Sequence, residues 1–220
     1  MANEIHEVRR AANVLPDYPH LNNVRGRTNR AGETLILPTF DDYVRLGMVF
    51  SANVGSASTI AAFATTAYDQ DQPEFGLDVP SGVTCIPLDI KIYLQDAAGT
   101  DTESFFRMDD GLLGAGTSTA ITENNLYQQA SDSQLATAQC TPRSLYTGNS
   151  AAITTGPEFC RWGSPFADAT TSPDLIWHWN RFQEGFGPIA EGEASFSGYI
   201  VAASTAASGF LTFTWAEYTT

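Results

Sequence analysis

The sequence predicts an all-β domain, an antiparallel sandwich or barrel of packed sheets, behind an extended N-terminal arm. Three observations carry this. From about residue 41 onward, apolar runs rich in β-branched and aromatic residues alternate with clusters of Gly, Pro, Asp, Asn and Ser. One run, Thr84–Gln95, alternates strictly, with Ile86, Leu88, Ile90, Ile92 and Leu94 set against Pro87, Asp89, Lys91, Tyr93 and Gln95. No convincing amphipathic helix interrupts the strands, and strands without crossover helices pair mainly antiparallel.

Taken in order, residues 1–40 show no sustained period and are punctuated by Pro16, Pro19, Asn22, Asn23, Gly26, Gly32 and Pro38, which reads as an extended arm. Residues 41–220 form the sandwich domain. Its predicted strands are Tyr43–Asn53, Ser58–Tyr68, Glu74–Val79, Thr84–Gln95, Glu103–Met108, Thr117–Thr122, Glu158–Trp162, Leu175–Phe182, Ala194–Ser204 and Phe210–Tyr218. Pro87 lacks an N–H for the ladder, so its end of the strand belongs at an edge or a bulge. Asn124–Ala138 is a poorly spaced helix candidate, and Gly111–Pro157 is the expected region of elaborated loops. The last two runs, joined by the small and polar Ser204–Gly209, are expected to form a hairpin with Trp215 buried.

Charge bounds the function. The chain of 220 residues carries a formal charge of −14, which argues against a body that wraps phosphates, since such a surface needs clustered Lys and Arg. The first 45 residues are neutral, with Arg9, Arg10, Arg25, Arg27, Arg30 and Arg45 balancing six acids. The rest holds five basic residues against nineteen acidic ones. Arginines beside an acidic body suggest pairing between arm and body, within a subunit or with a neighbour; the alternative is a solvated tail. No run approaches the ~18 apolar residues of a spanning helix, and the polar start does not read as a signal sequence.

Chemistry-bearing patterns are sparse. Cys85, Cys140 and Cys160 are an odd number and read as free core thiols, with a Cys140–Cys160 bridge left open. Gly111, Gly114 and Gly116 lack the Lys and Ser or Thr of a phosphate loop, and there is no nucleophile elbow. His6, His20 and His178 are too scattered for a zinc site, although folding could gather Cys140, Cys160 and His178. Asp69, Asp71 and Glu74 are a weak candidate for Ca²⁺, against which a solvated acidic turn is the plainer reading; Asp109 and Asp110 read as a turn too. No catalytic residue, cofactor or metal is assigned. Trp177 and Trp179 share one face of Leu175–Phe182, with Ile176, His178 and Phe182 largely opposite, so both faces are apolar. Together with Trp162 they are either packed or an aromatic platform for a sugar, and packing is favoured because sugar platforms need exposed aromatics with polar neighbours.

The arginine-bearing arm, the succession of eight or more strands and the closing runs from Ala194 to Ser204 and from Phe210 to Tyr218 resemble the single jelly-roll capsid proteins of icosahedral viruses and tailless phages. That resemblance implies a two-sheet jelly roll that self-assembles into a virion shell from subunits made in the host cytoplasm. Its partners would be copies of itself and other capsid proteins, with Arg9, Arg10, Arg25, Arg27 and Arg30 as inter-subunit contacts. The arm departs from the strongly basic arms of many members, which favours arm-to-subunit contact over genome packaging. The alternative is a carbohydrate- or receptor-binding sandwich of spike or lectin-like type. A jelly-roll lyase or glycosidase would need a cleft with paired carboxylates.

Overall fold

The computed structural model describes residues 43–44, 46–56, 58–63, 67–96, 101–127, 137–148, 154–164, 175–202 and 206–219. They build two antiparallel sheets packed face to face. The first sheet runs in the order β10 (Leu175–Asn180), β4 (Val83–Asp96), β13 (Ser208–Thr219), β1 (Val49–Val54), β7 (Glu123–Asn125), with β11 (Ala190–Glu191) beside β4 and β2 (Ala61–Ala62) beside β13. The second runs β6 (Thr117–Ala120), β8 (Thr141–Gly148), β3 (Phe75–Val79), β12 (Ala194–Ala202), β5 (Thr102–Asp110), β9 (Glu158–Ser164).

Eight of these strands define the topology. In chain order they are β1, β3, β4, β5, β9, β10, β12 and β13, and they pair from the outside inward: β1 with β13, β3 with β12, β4 with β10, β5 with β9. This nesting places four of them in each sheet and is the connectivity of a single jelly roll. The remaining strands extend the rims. β6, β7 and β8 all come from the expected loop region Gly111–Pro157, where only the run at Thr117 was foreseen. The described part of the helix candidate, Asn124–Tyr127, begins in β7 instead.

Alternation fills the space between the sheets. Leu211, Phe213 and Trp215 of β13 are fully buried while Thr212 and Thr214 face outward. Phe213 is the hub: its ring meets Phe75 at 4.8 Å, Phe106 at 5.9 Å and Phe196 at 6.1 Å, rings that come from three different strands of the opposite sheet. Each buried aromatic contributes about 1.5–3 kcal/mol by removing apolar surface from water. Gly198 of β12 lies under one of these rings. A Cβ there would come within 2.4 Å of Phe106, so the space belongs to the phenyl group.

Two expectations are corrected. β12 and β13 do not form a hairpin: β12 pairs with β3 and β5 in the second sheet, β13 with β1 and β4 in the first, so the small polar connection carries the chain from one layer to the other. Trp215 is nonetheless buried. The strict alternation of Thr84–Gln95 is also broken. The β4–β13 register shifts between Thr214 and Trp215, where the partners step from Asp89 to Pro87, and a bulge inverts the facing of every residue before it. Ile90, Ile92 and Leu94 therefore face the main core together with Cys85 and Val83. Ile86 and Leu88 are turned to the other side, into a small cluster with Val49, Ala216, Tyr43 and Val44. Of the two places open to Pro87, the bulge is the one it takes.

Candidate functional site

β5 presents Phe106 to the core, which leaves Phe105, Arg107 and Asp109 on the outward face of the second sheet. That face is not open to water: Arg107 and Asp109 are each 1% exposed. The Arg107 Nε lies 2.8 Å from Asp109 Oδ1 and donates to Oδ2 at 2.9 Å. Its terminal nitrogens donate to the Tyr68 hydroxyl and, at 2.7 Å, to the Tyr199 hydroxyl. Asp109 also accepts from the Ser197 hydroxyl and, at 3.0 Å, from Gly156 N, and Tyr199 donates to the Gln70 carbonyl at 2.9 Å. Each charge is thus met by an opposite charge and by neutral dipoles, which is the condition for tolerating ions away from water. The guanidinium stands 4.8 Å from the Tyr199 ring, and Tyr199 stacks on Phe105. The segments at 68–70 and 156–157 are fastened over the sheet by this network.

Asp109 had been read as part of a solvated turn; it is a buried strand residue, and only Asp110 is exposed. The missed signal was the i, i+2 spacing of Arg107 and Asp109, which puts opposite charges on one strand face.

A second feature lies at the β10 edge of the first sheet. Trp177 and Trp179 point inward, with Trp177 stacked parallel on Trp162 of β9 and Trp179 edge-on to Phe159. Trp177 is 8% exposed and Trp179 4%, and the half-buried Trp162 packs against the same core. Of the two readings, packing is the one these residues take: Trp177 and Trp179 fill the core between the sheets, because a β-strand covered on its inner face buries alternate residues, and the alternative of a platform does not hold for them. The outward residues of β10 are mixed. His178 Nε2 lies 2.6 Å from Asp89 Oδ1, and Asn180 donates to the same oxygen, while Lys91 is 3.1 Å from Oδ2. Burial alone would raise the Asp89 pKa, but these hydrogen bonds and the ammonium outweigh it and hold the carboxyl below its ordinary value of 3.8. Ile176, beside them, is 70% exposed.

Past β10 the chain makes one helical turn, α1 (Arg181–Glu184), capped by the Asn180 side chain accepting from Phe182 N and closed by Gly185 in the left-handed conformation. The link that follows leads to β11 and borders an open cleft of about 490 Å³, whose wall includes Met108, Pro157 and Ile189 and whose carboxylates are Asp109, Asp110, Glu191 and Glu193. Asp109 is already occupied by Arg107, Ser197 and Gly156, so it is not a free base.

Asp69, Asp71 and Glu74 do not converge. Asp69 accepts from Asp71 N at 3.0 Å and from the Gln72 side chain at 2.9 Å, closing a turn, while Glu74 is 2% exposed where the chain enters β3. Among the described residues no three His, Cys, Asp or Glu are placed to hold a metal. The three cysteines are free thiols, and Cys140 neighbours Cys85 rather than Cys160. Arg9, Arg10, Arg25, Arg27 and Arg30 lie outside the described residues. No family model, no curated protein and no solved structure matches the chain.

Proposed function

We propose that this chain is a viral capsid protein, a structural subunit that self-assembles into a virion shell, with residues 1–40 contacting neighbouring subunits. Jelly rolls also serve as lectin domains and enzymes, so the fold alone does not choose. The observation that carries the reading is the set of exposed apolar side chains Ile176, Phe182, Phe186 and Ile189, borne by the edge strand β10 and the segment that follows it. Large apolar side chains left exposed in such number on one segment are characteristic of protein contacts.

Charge supports the role of the arm. Each cation of residues 46–220 already holds a partner: Lys91 with Asp89, Arg107 with Asp109, Arg161 with Glu103 and Glu158, Arg143 with Ser118, and Arg181 with backbone carbonyls. The acidic surplus of this region finds its complement in the arginines of the first 45 residues. The subunit needs no cofactor in this role and performs no catalysis.

Deletion of residues 1–40 tests the proposal. The truncated chain is expected to remain folded and soluble but to form no native particles in negative-stain micrographs. Particles indistinguishable from those of the full chain would refute the role of the arm, and a full chain that never assembles would refute the shell.

A further inference from the structure

A sheet edge offers unpaired N–H and C=O groups, and proteins that must stay apart blunt it with short strands, irregular register or charged side chains. Among the described residues, three of the four sheet edges are blunted in this way. β7 is three residues long, and β6 is four with an interrupted register. β9 has a register shift against β5 and carries the exposed Glu158 and Arg161, which pair with each other, Arg161 pairing with Glu103 as well. β10 is different. Its six residues pair with β4 without a shift, from Leu175↔Leu94 to Asn180↔Asp89, and they include no Pro, Gly or Lys. Its exposed side chain near the start is Ile176.

The apolar residues beyond β10 are held on a fastened link. Asn180 and Gly185 cap α1 at its two ends, and Arg181 donates to the carbonyls of Pro188 at 2.8 Å and Gly187 at 3.1 Å. Gly187 packs so closely that a Cβ would sit 2.9 Å from Trp179. Phe182, Phe186 and Ile189 are thus displayed, at 56%, 78% and 47% exposure, by a built structure. With Ile176 they present roughly 400 Å² of apolar surface, on the scale of ~150–250 Å² for one aromatic side chain. That is about half of the ~800 Å² each partner gives to a standard interface, and a strand ladder would supply much of the remainder.

We propose that β10 pairs antiparallel with β10 of a second copy about a twofold axis, joining two first sheets into one. The occupant follows from where the exposed residues lie. An antiparallel twofold brings the start of one strand beside the end of the other, so Ile176 of each copy comes alongside Phe182 of its partner, and the contact is made twice. The polar groups of the seam are already matched within each copy, since Asp89 is held by His178, Asn180 and Lys91. The net charge of −14 on each copy opposes the approach, so added salt strengthens the dimer by screening it. The inference goes beyond the shell reading and does not depend on it.

Sedimentation velocity of the full chain over a range of concentration and salt tests the seam, with Ile176→Lys and Phe182→Asp as separate variants. Both positions are exposed, so circular dichroism should be unchanged. The expected result is concentration-dependent association that rises with salt and weakens at least tenfold in either variant. Should a variant misfold, hydrogen exchange of the unmodified protein decides: β10 amides must slow as concentration rises while those of β9 do not. A monomer under all conditions, or association of any size that both substitutions leave unchanged, overturns the seam. A dimer that forms through β10 but never builds particles upholds the seam and counts against the shell alone.

Discussion

Arg107 and Asp109 form an ion pair with side chains 2% and 0% exposed on the outward face of a sheet, where a sandwich ordinarily meets water. Tyr68, Tyr199, Ser197 and Gly156 supply the pair with further hydrogen bonds that replace those of water. Removing one partner strands the other in a low-dielectric site, so Arg107→Leu is expected to cost about 3–5 kcal/mol. The double variant Arg107→Leu with Asp109→Leu should recover part of that loss. Urea denaturation of the three proteins gives the comparison, and a double variant no better than the single one would contradict it.

Asp89 makes a pH-dependent contribution. Its folded-state pKa is depressed below 3.8, so the stabilisation is complete above that value and is lost as pH falls through the lower, folded one. Asp89→Asn should therefore destabilise the protein most at neutral pH, with the gap from the unmodified chain closing in strong acid. Urea midpoints measured along a pH series would show this convergence; a constant gap would exclude it.

The thiols should be inert in the folded protein. Burial pushes the Cys160 thiol up to about 12. The hydrogen bond with Cys85, with burial added, raises that of Cys140 further still. Since the thiolate is the reactive species, iodoacetamide at neutral pH is expected to label Cys140 and Cys160 slowly in buffer and rapidly in denaturant, as peptide mass spectrometry would record.

Gly209 and Gly82 should respond unequally to Ala. A Cβ at Gly209 would fall 2.0 Å from the Tyr93 carbonyl oxygen, which is backbone in the next strand and has little freedom to yield. Gly82 has open space and only its positive φ of 77° to disfavour a side chain. Gly209→Ala is expected to cost more than the ~1–3 kcal/mol of ordinary overpacking, and Gly82→Ala about 1 kcal/mol. Equal shifts in thermal midpoint would refute the distinction.

Much of the fold was legible because side-chain alternation reports directly on burial. β3, β5, β9, β12 and β13 lie where the runs of alternating residues placed them, to within a few residues. What stayed hidden was pairing over distance. Nothing in the composition of Ser204–Gly209 distinguishes a turn within a sheet from a passage between sheets, so the closing hairpin was misjudged. The Pro87 bulge was invisible for a related reason: alternation in sequence continues through it, while the facing of Ile86 and Leu88 is set by the partner strand. For Trp177 and Trp179 alternation gives the shared face but not which face is inside, so the sequence left packing and a platform both open and exposure decided for packing. The Arg107 network is not legible because its members come from four separate segments, and Asp109 is grouped in sequence with its neighbour Asp110.

The nested pairing also bears on how the protein is made. Val49 has its ladder partner in Ala216, so β1, the first strand among the described residues, waits for β13 to complete its pairing, and β4 waits for the same segment. β1 can meet β7 and β4 can meet β10 before then, but the layer that holds them stays in two parts until β13 is made, a slow and exposed interval. Loss of only the final dozen residues would take away the strand that sits between β1 and β4 and leave the layer in two pieces.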